Sequence, residues 1–337
     1  MTGFLLTLLA EQPVVLILVA AALLDFLIGD PWGWLHPVQA MGWVIQGYCS
    51  WAFKVCQTPR AEKLAGIGLG LGLVLGSGAI AALLLWGAYT LSPWLGMGLE
   101  VVLLASCFAG RSLRRAAEDV LKSLMAGDEL MARSRLRLYV GRDTEDLTAP
   151  EMLRAILETV SENATDGVFA PLFYAILGYT LTHWSSLTID AGVPLALAYK
   201  AASTLDSMVG YRRAPYTHLG GFSARLEDTL TWLPCRLSVV TLGAISGRIA
   251  HVLHLCRRDA SKDPSPNAGW SECAYAAILD VQLGGLNTYK GIPTLKPKLG
   301  NPHRPITPER IHLALRLTRN GFLLWLLIAL AILGEPT

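Results

Sequence analysis

Uncharged apolar stretches of membrane-spanning length alternate along the chain with short blocks crowded with acidic, amide and basic side chains. The longest clean stretch covers 64–99; Glu100 interrupts it, and 101–110 is clean again. A bilayer's hydrocarbon core takes roughly 20 apolar residues per helix. This window therefore predicts two helices, over 64–91 and 94–110, turning near Ser92-Pro93. Gly68, Gly72 and Gly76 recur every fourth residue in the first and predict a close helix contact. No strand precedes these glycines and no Gly-Lys-Ser/Thr follows, so they are not a nucleotide loop.

Further membrane segments are expected over 14–28 and 321–333, with a pair of shorter ones over 168–181 and 189–202. The short pair suits a broken or re-entrant hairpin, which needs protein around its backbone. The stretch 232–255 is ambiguous: Arg236, Arg248, His251 and His254 suit an interfacial amphipathic helix better than a lipid-facing span. Residues 1–22 lack a basic leader and carry Glu11, which favours a retained helix or anchor over a signal peptide.

Basic residues set the expected orientation. Lys54, Arg60 and Lys63 precede the long pair, and Arg111, Arg114 and Arg115 follow it, so both flanks are expected in the cytoplasm. Counting from there puts the other polar blocks on the same side. The reading is an all-α, polytopic integral membrane protein of one domain over 1–337, with cytoplasmic-side loops and short or re-entrant helices forming a polar site.

Composition agrees. Hydrophobic residues make up 53% of the 337, charged ones only 16%, and the mean hydropathy is +0.43; soluble chains carry about 25% charged residues. A net charge of +2 without a basic, aromatic-interleaved run argues against nucleic acid as partner. The six cysteines show no C-x-x-C pairing and read as reduced, structural residues. His251-x-x-His254 has helical spacing but no third ligand nearby, so a zinc site is not expected.

Charge at a membrane edge is rare unless paired, solvated or functional, and 158–236 is full of it. Glu158, Glu162 and Asp166 recur at i, i+4 and i+8, which places three carboxylates on one face of a helix. Like charges at that spacing repel, so something must offset them. Pairing with Arg154 and solvation is one reading; a Mg²⁺ site is the other, since Mg²⁺ takes one or two carboxylates plus phosphate oxygens and water. Lys200 to Arg213 repeats the mixture with Asp206, Ser207, Arg212 and Arg213, and Arg225, Glu227, Asp228 and Arg236 supply both signs again. Arg142-Asp143 adds another pair. Guanidinium groups suit phosphate through paired hydrogen bonds. Asp30-Pro31 with His36-Pro37 reads either as a turn with a capping histidine or as part of the site. Ser265-Pro266-Asn267 and Leu283-Gly284-Gly285 through Tyr289 read as shaped loops. An enzyme acting on a phosphorylated substrate fits this pattern. A transporter, or a regulatory membrane protein of the AmpE type, is the competing reading. A transporter concentrates charge within its spans, whereas here the long spans are clean.

The same residues resemble the adenosylcobinamide-phosphate synthase (CobD/CbiB) family. The resemblance lies in Gly29-Asp30-Pro31, His36-Pro37-Val38, Gly141-Arg142-Asp143-Thr144, Glu162-Asn163, Asp166-Gly167, Pro171-Leu172-Phe173, the run Thr204 to Tyr211, Ser265-Pro266-Asn267 and Gly284-Gly285. It runs in order over about 25–300. It implies an ATP-dependent, Mg²⁺-assisted amide ligase of cobalamin biosynthesis, joining the propionate of adenosylcobyric acid to (R)-1-aminopropan-2-ol O-phosphate or ethanolamine phosphate. On that resemblance Glu162, Asp166, Asp206 and Asp228 serve metal–nucleotide binding or amine deprotonation, with Mg²⁺ on Glu162 and Asp166. Arg142, Lys200, Arg212, Arg225 and Arg236 hold phosphates or the corrinoid's amide-rich rim. Asn163, Ser207 and Asn267 position substrate, joined by Asp30 and His36. The resemblance also implies a cell inner or plasma membrane, lipid contact, and room for a complex with other membrane enzymes of the pathway. Ser203, Glu227 and Thr231 depart from the family's expected Asn, Asp and Asn; the first shortens a hydrogen-bonding side chain and the second lengthens a carboxylate.

Overall fold

The computed structural model describes residues 13–29, 36–185, 190–211 and 213–334. Its elements in chain order are α1 (Pro13–Leu27), α2 (Pro37–Val55), α3 (Pro59–Leu91), α4 (Pro93–Ala105), α5 (Gly110–Met125), α6 (Glu129–Leu136) and α7 (Ala149–Ala164). A π-helix over Thr165–Phe169 leads into α8 (Ala170–His183), followed by α9 (Gly192–Val209), α10 (Gly221–Ile245) and α11 (Ile249–Asp259). A 3₁₀ turn, α12 (Ala268–Leu279), strands β1 (Gln282–Tyr289) and β2 (Ile292–Gly300), and α13 (Pro308–Leu333) complete the described chain. The fold is that of a helical integral membrane protein, with one small sheet. Among the described residues three helical runs are long and apolar enough to cross a membrane: Pro59–Leu91, Pro93–Met125 and Pro308–Leu333. Neither α8 nor α9 is among them.

Two compact units emerge. One comprises Met1–Ala109, Ala170–Leu230 and Leu324–Thr337, the other Gly110–Phe169 and Thr231–Leu323.

In the first unit, prolines open α2, α3 and α4 at positions where the missing N–H is harmless. Thr58 Oγ1 caps α3 through the Ala61 amide at 3.2 Å. The predicted turn at Ser92-Pro93 is where α3 ends and α4 begins. Leu64, Leu75, Leu83 and Leu91 point outward, as lipid-facing side chains do. The predicted glycine contact is offset, however. Gly72 and Gly76 face open space; a Cβ on Gly66 would stand 2.0 Å from the Leu219 carbonyl, and one on Gly70 2.6 Å from the Phe222 ring. The close face is thus one helical step removed from the expected ladder, selected by the loop and α10 start that pack on it. The short pair α8 and α9 packs intimately: Gly178 meets the Ala191 backbone, and Tyr174 stacks on Tyr199 at 5.0 Å. The single buried carboxylate the sequence placed amid the long apolar window, Glu100, accepts hydrogen bonds from Tyr89 Oη at 2.5 Å and Tyr179 Oη at 2.8 Å.

The second unit differs from expectation in three ways. The helix predicted to begin at 168 is preceded without a break in helical structure by α7 and the π-helix, so Glu158 to Asp166 lies inside a helical run and not at a segment end. The stretch 232–255 is two helices, α10 and α11, broken where Gly247 adopts φ +68°. The glycine-rich loop after Leu283 is an antiparallel hairpin, with its register slipping between Leu283 and Gly285. Gly284 (φ +80°) allows the slip, since a Cβ there would stand 1.9 Å from the Pro297 carbonyl. All six cysteines are free.

Candidate functional site

The second unit builds its polar centre on α7. A capping box starts this helix, with Glu151 accepting from the Thr148 amide at 2.8 Å and from its hydroxyl at 2.7 Å. Two turns further Glu158 is buried. Arg142 donates to its Oε2, the Gly284 amide donates to Oε1 at 2.8 Å, and Arg154 Nη1 stands 3.6 Å from Oε1. Arg142 Nη1 also donates to Asn287 Oδ1 at 2.9 Å, which accepts from Arg154 Nη2 at 3.1 Å as well. Asp143 pins the hairpin's turn through the amides of Lys290 (2.9 Å) and Gly291 (2.7 Å). A buried carboxylate needs such partners to remain charged.

Glu162, one turn on, is half-buried beside Lys296, Asp263 and Glu158. Desolvation raises its carboxyl, Lys296 opposes that, and the neighbouring carboxylates add to it. Glu272, at 1% exposure, is raised well above the ordinary carboxylate value, first by burial and then by Glu162, Glu158 and Asp263, with Lys296 opposing. Lys296 Nζ stands 3.9 Å from Glu272 Oε1. Burial alone would lower the lysine, but Glu272 and Glu162 outweigh it and hold the ammonium charged. Ser271 fixes α12 against α7 by donating to the Ser161 carbonyl at 2.6 Å, with Thr165 Oγ1 at 2.8 Å from the same hydroxyl. Two buried atoms of the centre have no hydrogen-bond partner: Glu272 Oε1 and Asn287 Nδ2.

Asp166 falls in the π-helix, whose wider turn takes it out of α-helical phase, and it acts electrostatically on Cys235. Among the described residues no set of three or more His, Cys, Asp or Glu side chains is gathered as metal ligands. Glu162 with Asp263 nearby nevertheless offers the hard oxygen donors, held in mutual repulsion, that Mg²⁺ with phosphate and water would accept.

Arg236 lies between two indoles, 5.2 Å from the Trp232 ring centre and 4.7 Å from Trp270. It donates to Asn267 Oδ1 and the Pro266 carbonyl, each at 2.9 Å. Asn267 is buried and opens α12; Arg236 therefore shapes the Ser265-Pro266-Asn267 turn. Arg142, expected on phosphate, has its guanidinium turned into the protein by Glu158 and Asn287. Asn163 is exposed and donates to the Thr159 carbonyl at 2.9 Å.

The remaining candidates lie in the first unit. His36 caps α2, its Nδ1 accepting from the Val38 amide at 3.2 Å, as the capping alternative required. Asp206 and Ser207 end α9; the Asp206 carboxylate folds over Gly210, where a Cβ would meet Oδ1 at 2.0 Å. Ser207 is exposed, and its hydroxyl donates to the Thr204 carbonyl at 2.9 Å. Lys200 is half-buried on α9, while Arg225 (exposed) and Asp228 (half-buried) share a face of α10 three residues apart. Of the departures, Glu227 and Thr231 are buried, and Glu227 acts electrostatically on Tyr174. Asp30 and Arg212 lie outside the described residues.

Sequence reasoning missed Lys296, Glu272, Asp263 and Asn287. Glu272 carried a signal, a lone carboxylate in the apolar run of α12. Lys296 carried none, because its partners are set by the hairpin's register.

These features define a helical integral membrane protein with a buried, multiply charged centre on short helices and a β-hairpin. A family model described as CobD/Cbib protein matches residues 18–318, and the chain belongs to that family. It is 49% identical to the cobalamin biosynthesis protein CobD of Synechocystis, over 95% of this chain and 92% of that one. It is 39% identical to the cobalamin biosynthesis protein CbiB of Salmonella arizonae, over 88% of this chain and 90% of that one. Identity to the cobalamin biosynthesis protein CobD of Photorhabdus laumondii is 38%, over 94% and 97% respectively. No solved structure matches the chain.

Proposed function

We propose that the protein serves cobalamin biosynthesis as an ATP-dependent amide ligase, joining the propionate of adenosylcobyric acid to an amino alcohol phosphate to give adenosylcobinamide phosphate. The observation that carries this reading is the cluster of Glu162, Glu272, Asp263 and Lys296, backed by the Glu158–Arg142–Asn287 network, in a member of the CobD/CbiB family. A carboxylate is a poor electrophile, and phosphorylation by ATP gives it a leaving group. Such chemistry asks for charge stabilisation on the transferring phosphoryl group and for an amine held ready to attack.

In this reading Glu162 and Asp166 hold Mg²⁺, which supplies charge neutralisation to the phosphates when bound. Arg142 acts by fixing Glu158 and the hairpin, and Arg236 with Asn267 presents the turn that lines the substrate. In the first unit, Lys200, Arg212 and Arg225 are proposed to hold phosphates or the corrinoid rim. Asp206 and Asp228 would serve nucleotide or amine, and Asp30, His36, Asn163 and Ser207 would position substrate. The active centre is proposed to face the cytoplasm, where ATP is supplied.

The test incubates purified protein with ATP, Mg²⁺, a cobyric acid and either aminopropanol phosphate or ethanolamine phosphate, and looks for the amide by mass. Amide formation dependent on all components is expected. ATP consumption without amide would refute it.

A further inference from the structure

We propose that Glu272, backed by Glu162, forms the subsite that takes the primary ammonium group of the amine substrate. This rests on the amide-forming reading and deepens it.

Three observations carry the assignment. Glu272 is 1% exposed, yet its Oε1 accepts no hydrogen bond. A buried carboxylate oxygen without a donor is costly, and its place in the fold is not accidental: Ser271 beside it is clamped to the Ser161 carbonyl of α7 at 2.6 Å. The acid is thereby held next to Glu162 and Glu158 instead of turning to solvent. Second, Lys296 shows what the surroundings accept. Its primary ammonium stands 3.9 Å from Glu272 Oε1, beyond hydrogen-bonding distance. One ammonium at that distance leaves Oε1 able to accept from another. Third, the guanidinium groups of the centre are already committed, since Arg142 and Arg154 both pair with Glu158.

A divalent cation at Glu272 is the poorer fit. Mg²⁺ demands octahedral oxygen ligands at about 2.0–2.1 Å, and among the described residues no set of three or more such side chains is gathered around Glu272. An ammonium group is a hydrogen-bond donor of the same class as the lysine already there. It needs one good acceptor and a negative surround, and Glu272 with Glu162 supplies both.

The experiment compares full-length wild type with Glu272→Gln, which keeps shape and removes charge, and with Glu272→Asp, which keeps charge and shortens reach. Three readouts are taken on detergent-purified protein: KM for aminopropanol phosphate, ATP-dependent hydroxamate formation with hydroxylamine, and the Mg²⁺ concentration dependence. Hydroxylamine is uncharged near neutral pH and needs no ammonium subsite. Glu272→Gln is expected to raise KM for the amine by about 10–100-fold, the loss of one charge-assisted hydrogen bond, with a much smaller loss in hydroxamate formation. Glu272→Asp should fall between. An unchanged KM, an equal loss in both reactions, or a shifted Mg²⁺ dependence would each overturn the subsite. Should the wild type form neither amide nor hydroxamate, the amide-forming reading fails on its own. Calorimetric binding of aminopropanol phosphate against propanol phosphate then decides the subsite: an affinity that depends on both the amine and Glu272 supports it, and equal affinities refute it.

Discussion

Two buried carboxylates, one in each unit, are handled in opposite ways. Glu100 in the first unit is closed off by two phenol hydroxyls, at 2.5 and 2.8 Å, in a helix that runs through apolar surroundings. Glu272 in the second is equally buried but keeps an oxygen without a hydrogen bond and shares a lysine with Glu162. The first arrangement completes a structure. The second leaves an interaction available. The contrast extends to packing: the first unit relies on bare glycine backbone under other helices, the second on guanidinium groups that link helices to a hairpin.

The sharpest way to break the comparison is Arg142→Met. It leaves Glu158 with the Gly284 amide and the more distant Arg154 only, and is expected to destabilise the protein by about 3 kcal/mol or more. Thermal unfolding in detergent measures it; a change under 1 kcal/mol, on the order of a solvated surface pair, would show that the network is not structural. In the first unit, Gly66→Ala should cost about 1–3 kcal/mol, because the new Cβ meets the Leu219 carbonyl. Gly72→Ala, facing open space, should instead stabilise by about 0.5–1 kcal/mol. Equal effects at the two glycines would contradict the packing described.

Asp259 tests the ion pairs by pH. Burial raises its carboxyl, but Arg258, Lys262 and the Gly300 amide outweigh that and bring it down to about 2. A depressed carboxyl contributes stability above its unfolded value of about 3.9, and loses it as pH falls toward 2. Asp259→Asn should remove roughly 2 kcal/mol at neutral pH and flatten the stability profile between about pH 4 and 2. The smallest effects sharpen the opening contrast. Tyr179→Phe takes one donor from Glu100 and should cost about 1–2 kcal/mol. Glu272→Gln should do the reverse: the raised carboxyl opposes folding increasingly as pH rises above its ordinary value, so its removal raises the unfolding midpoint at neutral pH. Residues that weaken the fold while serving a ligand are the usual exchange between stability and activity.

The long helices were legible because the signal is local. Uncharged windows and Ser92-Pro93 mark α3 and α4 from composition and backbone chemistry alone. The carboxylate face of α7 was legible from spacing as far as Glu162. The spacing did not show the π-helix that holds Asp166, because a π-turn has no residue signature of its own and is set by what packs around it. The glycine ladder failed likewise: several glycines can face a neighbour, and only the neighbour selects Gly66 and Gly70. The hairpin was read as a loop because two glycines and two prolines obscure its alternation, and with it went Lys296 and Asn287. Arg142 was seen as a ligand for phosphate because its partner lies 145 residues ahead.

That distance has a consequence in time. Glu158 emerges from the ribosome with Arg142 and Arg154 already made, but the amide of Gly284 follows 126 residues later. Until the hairpin arrives, α7 holds its carboxylates with half their partners, and contacts of such long range form late in folding. A nascent chain stopped before Gln282 can build the apolar helices of its first third, yet it cannot complete the charged centre. Translation order thus makes the last stretch of the protein the licence for its earliest charges to be buried.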